Sequence, residues 1–149
     1  MNTFETLQKH FETVAGALLI MNQYEIEKAV QIFKQVRDGN NTVWLVGNGG
    51  SASTASHFAN DLEKMAWIKA ISIPDMLPKI LAYGNDNGWE RMFSDTLERN
   101  IRQGDVVVAF IGLPVRTAND LRVRVADVNP GSETPLTVLR EGQSLSLRV

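Results

Sequence analysis

The chain has 149 residues, 44% of them hydrophobic and 21% charged, a formal charge of −2 and no cysteine. These totals suit a globular domain large enough to bury one core; they exclude disulfide and thiol chemistry, fit a reducing cytoplasm, and present no basic surface for nucleic acid. No apolar run approaches membrane-spanning length, and the amphipathic, acid-bearing start is unlike a signal peptide.

Phe4, Leu7, Phe11, Val14, Leu18 and Met21 recur at helical spacing and predict a first amphipathic helix. Ile26, Ala29, Val30, Phe33 and Val36 predict a second, ended by Gly39-Asn40-Asn41, residues that tolerate left-handed backbone. Both helices can be read as simple cover for a sheet. His10, in the first, is read as a surface or interface residue with no assigned chemistry. Next a strand is expected over residues 42–46, where Val43-Trp44-Leu45-Val46 is a short apolar run without alternation, as expected of a parallel strand buried on both faces.

That strand flows into Gly47-Asn48-Gly49-Gly50-Ser51-Ala52-Ser53. The glycines allow a sharp turn and a close approach to a ligand. Ser51, Ser53, Thr54 and Ser56 fall at the start of the following helix, expected over residues 53–65, where free amides and the helix dipole favour an anion. The cluster of hydroxyl donors points to a phosphomonoester. Gly47-Asn48-Gly49-Gly50-Ser51-Ala52 also fits the G-x-G-x-x-A dinucleotide pattern, with Asp75 as a distant ribose contact, and a plain strand-to-helix turn with a serine cap fits as well. A Walker loop is excluded, since no Gly-Lys-Ser/Thr follows. His57 and Asp61, four apart, share a helix face; the pair can clasp a metal or transfer a proton, and His57 can equally be an ordinary surface histidine.

A strand is expected over residues 70–73, ended by Pro74, with Asp75 capping a helix through Leu81. Gly84-Asn85-Asp86-Asn87-Gly88 reads as a turn, and Trp89, Met92, Phe93, Leu97 and Ile101 mark another helix. Residues 106–111 form a second buried-strand run, so the chain to that point alternates α and β around a parallel sheet. Thr117-Ala118-Asn119-Asp120 fits an acidic capping box ahead of a short helix with Leu121, Val125 and Val128 on one stripe, stopped by Asn129-Pro130-Gly131. Residues 136–140 and 144–149 predict a hairpin turning at Glu141-Gly142. The five arginines of this tail read as a solvated face.

The string from Gly47 through His57 to Asp61-Leu62 resembles the opening loop and helix of the sugar isomerase (SIS) domain family, nearest its phosphoheptose isomerase branch. Leu81-Ala-Tyr-Gly-Asn85-Asp86-Asn-Gly-Trp-Glu-Arg-Met-Phe93-Ser resembles the same branch. The likeness runs to about residue 104. It implies an α/β fold, a partial SIS-type parallel sheet flanked by helices, and a homo-oligomer assembled through the N-terminal helices. It implies a sugar phosphate, sedoheptulose 7-phosphate, isomerised between ketose and aldose on the route to bacterial surface heptose. Asn48, Gly49, Gly50, Ser51, Ser53, Asn85 and Asp86 match the loops that contact substrate. His57 matches a zinc ligand, and Asp61 matches a glutamate that serves as ligand and acid–base group; here the acid is one methylene shorter. The family's remaining ligands, a glutamine and a histidine, belong to a late helix with no counterpart in this chain, so a zinc site would be incomplete. Gly112-Leu113-Pro114-Val115-Arg116-Thr117 stands where the family has a second phosphate loop.

Residues 105–149 are similar to the C-terminal half of a PDZ domain of bacterial stress proteases, through Gly-Asp-Val-Val-Val-Ala-Phe-Ile-Gly, Pro-Val-Arg-Thr-Ala-Asn-Asp-Leu and Leu-Thr-Val-Leu-Arg-Glu-Gly. The expected organisation is therefore 1–104 as the N-terminal part of an SIS domain and 105–149 as an incomplete PDZ-like half, ending in a short helix and an antiparallel hairpin. Residues 106–111 would then serve as a central parallel strand while accepting that hairpin. An isomerase, a non-catalytic sugar-phosphate sensor or adaptor, a dinucleotide-binding half-domain and a chimera without function of its own are the readings carried forward.

Overall fold

The computed structural model describes residues 2–110 and the backbone of residues 136–140 and 143–147. Helices α1 (Thr3–Leu19) and α2 (Gln23–Asp38) come first, capped by the side chains of Asn2 and Asn22. Then follow β1 (Thr42–Val46), α3 (Gly50–Ala66), β2 (Lys69–Ser72), a 3-10 turn at Ile73–Asp75, α4 (Leu77–Asn87), a 3-10 turn at Trp89–Arg91, α5 (Met92–Asn100) and β3 (Val106–Phe110). Strands β4 (Leu136–Arg140) and β5 (Gln143–Leu147) close the sheet, whose order is β2-β1-β3-β4-β5.

β1 pairs parallel with both β2 and β3, Leu45 standing opposite Ser72 and Val108. β3 then pairs antiparallel with β4, and β4 with β5. The expected dual role of the run at residues 106–111 is thus observed over Val106–Phe110: it is a central strand, parallel on one edge and antiparallel on the other. The unbroken apolar run in β1 has its explanation in two-sided burial. Val43 and Leu45 face α2 and α3 in one core with Val36, Ala55, Ala59, Leu62, Val106 and Val108. Trp44 and Val46 face α4 and α5 in another, with Ile73, Ile80, Met92, Phe93, Leu97 and Val107. The crossover β1–α3–β2 covers one face and β2–α4–α5–β3 the other, so the chain switches sheet faces at β1.

Asp105 fastens the lower end of this sheet. Its buried carboxylate accepts hydrogen bonds from the Thr42 amide (2.9 Å), the Trp44 indole Nε1 (2.9 Å) and the Arg102 amide (3.0 Å).

Three local expectations change. The helix after the glycine loop starts at Gly50, not residue 53, so the loop shrinks to Gly47-Asn48-Gly49. Asp75 caps no helix: Pro74 and Asp75 sit in the 3-10 turn, and α4 starts at Leu77 without a side-chain cap. Asn85, Asp86 and Asn87 are not a turn but the last turn of α4, which Gly88 ends with φ +96°. Helix wins there because Gly84 lets the Trp89 ring pack against the backbone and Asn87 Nδ2 donates to the buried Asp95 at 2.7 Å. The loop at residues 112–117, the capping box at 117–120, the helix at 121–128 and the hairpin turn at 141–142 lie outside the described residues, as does most of the stretch resembling a PDZ half. Among the described residues no helix is long and apolar enough to cross a membrane.

Candidate functional site

β1 delivers the glycine loop to the C-terminal end of the sheet, at the point where the chain switches faces; open α/β sheets hold ligands there. Gly47 is buried and packed so that a Cβ would meet the Ser51 carbonyl carbon at 2.6 Å. Gly49, with φ +56°, is the N-cap of α3 and supplies no side-chain cap. The start of α3 therefore presents its dipole without a capping side chain from Gly49, while the Ser51 and Ala52 amides donate to the Asn48 and Gly49 carbonyls at 3.1 Å. Asn48 and Ser51 shape the loop: the Asn48 amide donates to Ser51 Oγ (3.0 Å), Ser51 Oγ donates to the Asn48 carbonyl (2.6 Å), and the Gly49 amide donates to Asn48 Oδ1 (2.9 Å).

Beyond the loop, α3 presents a column of functional side chains. Ser53, Thr54, His57 and Asp61 line a cleft of about 470 Å³, whose apolar wall is Phe58 and Phe110. The two rings pack edge to face with centroids 6.0 Å apart. Phe110 comes from β3 and enters this wall only because β3 neighbours β1, a pairing without a local signal in the sequence. His57 Nε2 and Asp61 Oδ2 lie 3.4 Å apart on the exposed face, in the i, i+4 relation the spacing predicts. Ser56 points the other way, donating to Asp75 Oδ1 at 2.5 Å.

Asn85 and Asp86 are exposed on the last turn of α4, Asn85 Nδ2 donating to Asp86 Oδ1 at 3.1 Å. Helix α4 packs on the opposite sheet face from α3. One copy of the chain thus brings Asn48, Gly49, Gly50, Ser51, Ser53, His57 and Asp61 together along one loop and helix, and holds Asn85-Asp86 apart from them. Among the described residues, no three His, Cys, Asp or Glu side chains gather as a metal site. His57 and Asp61 alone fall short of the three protein ligands of a catalytic zinc. The described residues do not fit a resident zinc.

The chain is 33% identical over 104 residues to the phosphoheptose isomerase of Aliarcobacter butzleri, a stretch covering 66% of this chain and 54% of that protein. It is 37% identical over 89 residues to the phosphoheptose isomerase of Citrifermentans bemidjiense, covering 56% of this chain and 46% of that protein. Over this span the chain is similar to phosphoheptose isomerases. It spans about half the length of these curated relatives. Among solved structures, the phosphoheptose isomerase of Neisseria gonorrhoeae superposes with a TM-score of 0.66 at 26% identity, over 81% of this chain and 67% of that one. That of Francisella tularensis has the same fold, with a TM-score of 0.68 at 21% identity over 82% and 66%. The parallel sheet flanked by helices is therefore SIS-type. No family model matches the chain.

Proposed function

We propose that this chain binds a sugar phosphate in the manner of a phosphoheptose isomerase, with sedoheptulose 7-phosphate as substrate. The observation that carries the reading is the Gly47–Ser51 loop and uncapped α3 start at the switch point of a sheet, within a stretch 33% identical to such an isomerase. The phosphate or adjoining hydroxyls would sit against the α3 start and the Ser53 hydroxyl, exchanging the internal hydrogen bonds of the Asn48 and Gly49 amides and the Ser51 hydroxyl for bonds to the ligand. Asp61, reaching into the cleft, would take the proton from C1 of the ketose as the C2 carbonyl oxygen gains one. The resulting enediol would return a proton to C2 while the C1 hydroxyl gives up its own and becomes the aldehyde. His57, 3.4 Å from Asp61, would hold that carboxylate in place. Asn85 and Asp86 would contact sugar hydroxyls supplied across a subunit boundary, since they lie on the opposite face of the same copy.

A homo-oligomer belongs to the same proposal. Helix α1 buries none of its residues, and Phe4, Leu7, Phe11, Val14 and Leu18 all lie exposed along it. A soluble, cytoplasmic setting accompanies the substrate. The division into 1–104 and 105–149, with the second part PDZ-like, is proposed on the sequence motifs alone.

The test is a thermal melt with and without millimolar sedoheptulose 7-phosphate, followed by an isomerase assay. A ligand that binds only the native state at a hundred times its Kd adds about 2.7 kcal/mol, so the expected result is an upward shift of several degrees. A cooperative melt indifferent to the sugar would overturn the binding assignment. The second reading, a non-catalytic sensor or adaptor, is favoured by the shorter acid at Asp61 and by the two-donor set. Asp61→Glu separates them: a weakened isomerase gains rate, by up to about a hundredfold if the lost methylene misplaces the acid by roughly an ångström, whereas a sensor still shifts its melt and stays inactive. Metal analysis of the purified protein tests the zinc expectation, because stoichiometric zinc would require donors beyond His57 and Asp61.

A further inference from the structure

The end of the sheet away from the glycine loop holds a cleft that takes no part in the proposed site. Strand alternation builds it: Thr42 and Trp44 of β1 and Lys69 and Ile71 of β2 line one face, and the connection from α5 to β3 closes the side. β1 separates this cleft from the glycine loop by four residue steps of about 3.3 Å each. The cleft has a volume of about 390 Å³, enough for a small ligand.

Its walls are set by contacts within the chain. Trp44 and the buried Asp105 form the floor. The Asp105 carboxylate accepts from Thr42, Trp44 and Arg102, and the Asp105 amide donates back to the Arg102 carbonyl at 3.0 Å, which closes the turn carrying Arg102 and Gln103. Asn41 is seated between two glycines: a Cβ at Gly39 or Gly104 would come within 2.6 or 2.5 Å of Asn41 Nδ2.

Two cations share the cleft, Lys69 and Arg102, and neither side chain has an ion pair or hydrogen bond among the described residues. Charge balance for Asp105 does not require them, because its two oxygens already hold three N–H donors. A plain solvated face would also account for two exposed cations, but the carboxamides of Asn40, Asn41 and Gln103 line the same cleft, likewise without a hydrogen-bond partner among the described residues. Two positive charges over one negative leave the cleft positive, which suits an anion. A carboxamide both donates and accepts, and so does a ligand hydroxyl.

We infer that this cleft binds a phosphate monoester carrying hydroxyls, with Lys69 and Arg102 on the phosphate and the carboxamides on the hydroxyls, at a site separate from the glycine loop. The probe is glucose 6-phosphate. The reporter is the Trp44 indole N–H, held on Asp105 at the cleft floor and read by proton–nitrogen NMR. The chain has three tryptophans, so replacing the exposed Trp67 and Trp89 by Phe, one at a time, assigns the Trp44 signal by elimination. The expected result is a saturable shift of that signal which neither glucose nor sodium chloride at matched ionic strength reproduces. Lys69→Gln and Arg102→Gln, both at exposed positions, should each weaken binding about ten- to a hundredfold. Gln103→Ala should weaken glucose 6-phosphate and leave inorganic phosphate unchanged. No shift at millimolar probe, a shift that chloride reproduces, or unchanged affinity in both cation variants overturns the inference. Equal affinity of the unaltered chain for inorganic phosphate and glucose 6-phosphate overturns the hydroxyl assignment and with it the ligand class. The backbone amide signals of residues 47–51 report the other site: a response there without one at Trp44 removes this inference and leaves the sugar-phosphate reading standing.

Discussion

A methyl group at Gly47 would overlap the Ser51 carbonyl, a backbone group that cannot swing aside as a side chain does. Gly47→Ala must therefore move the loop or the first turn of α3, at a cost of about 1–3 kcal/mol by analogy with overpacking in a core. The expected outcome is a melt lowered by a few degrees that no longer responds to sedoheptulose 7-phosphate, measured by differential scanning fluorimetry. Asp105 makes a different prediction. Alanine there strands an indole N–H and two backbone amides, and unsatisfied buried donors cost about 1–3 kcal/mol each. Asp105→Ala should lower the melting temperature by on the order of 10 °C; a drop under about 2 °C would mean that water replaces the carboxylate at no cost. The two residues were unequally legible in the sequence. Gly47 sits in a pattern whose chemistry demands glycine. Asp105 reads only as part of a Gly-Asp turn, because its partners Thr42 and Trp44 lie more than sixty positions away.

At the scale of elements, the helices and strands that follow one periodicity are readable in the sequence, the ends of the helices less so. β1 matches its expected bounds because two-sided burial leaves an unmistakable apolar run. The sequence predicts a turn at the end of α4 because Gly, Asn and Asp favour turns when only neighbours in sequence count. In the structure Asn87 and Arg91 both reach the buried Asp95, Arg91 Nη2 at 2.9 Å, and this tie to α5 outweighs the local preference. The same hydrogen bond, then the charge of Asp95, raises the Arg91 pKa above its ordinary value, so Arg91 stays charged throughout the accessible pH range. Helix α1 shows the converse: its periodicity predicts a buried stripe, yet Phe4 is 74% and Phe11 68% exposed. An apolar stripe on a formed helix argues for a partner surface. Phe11→Glu is expected to reduce the mass seen by light scattering to that of one chain, with the melt of the α/β core little changed, since α1 contributes nothing buried to it.

For the whole molecule the question is what completes the sheet. β3 carries parallel β1 on one edge, and on the other the chain's own β4 and β5 run antiparallel. The sequence predicts a hairpin in the tail but contains no local signal for where it docks; β-pairing across a long connection is set by which edge is open, and β3 offers one. The hairpin covers that edge, so the first half depends on the second. A chain ending at residue 110 would bare the β3 edge along Val107 to Phe110, where every second residue would lose the β4 partner of its amide and carbonyl, an apolar edge of the kind that recruits other strands. Each lost pairing also removes hydrogen bonds worth about 0.5–1.5 kcal/mol apiece, a large share of a total stability of roughly 5–15 kcal/mol. The truncated chain is therefore expected to aggregate or to melt without cooperativity, read by circular dichroism and light scattering. A truncated chain that stays soluble, melts at the temperature of the full chain and still shifts with sedoheptulose 7-phosphate would mean instead that the α/β half folds by itself and that residues 111–149 form a separate unit.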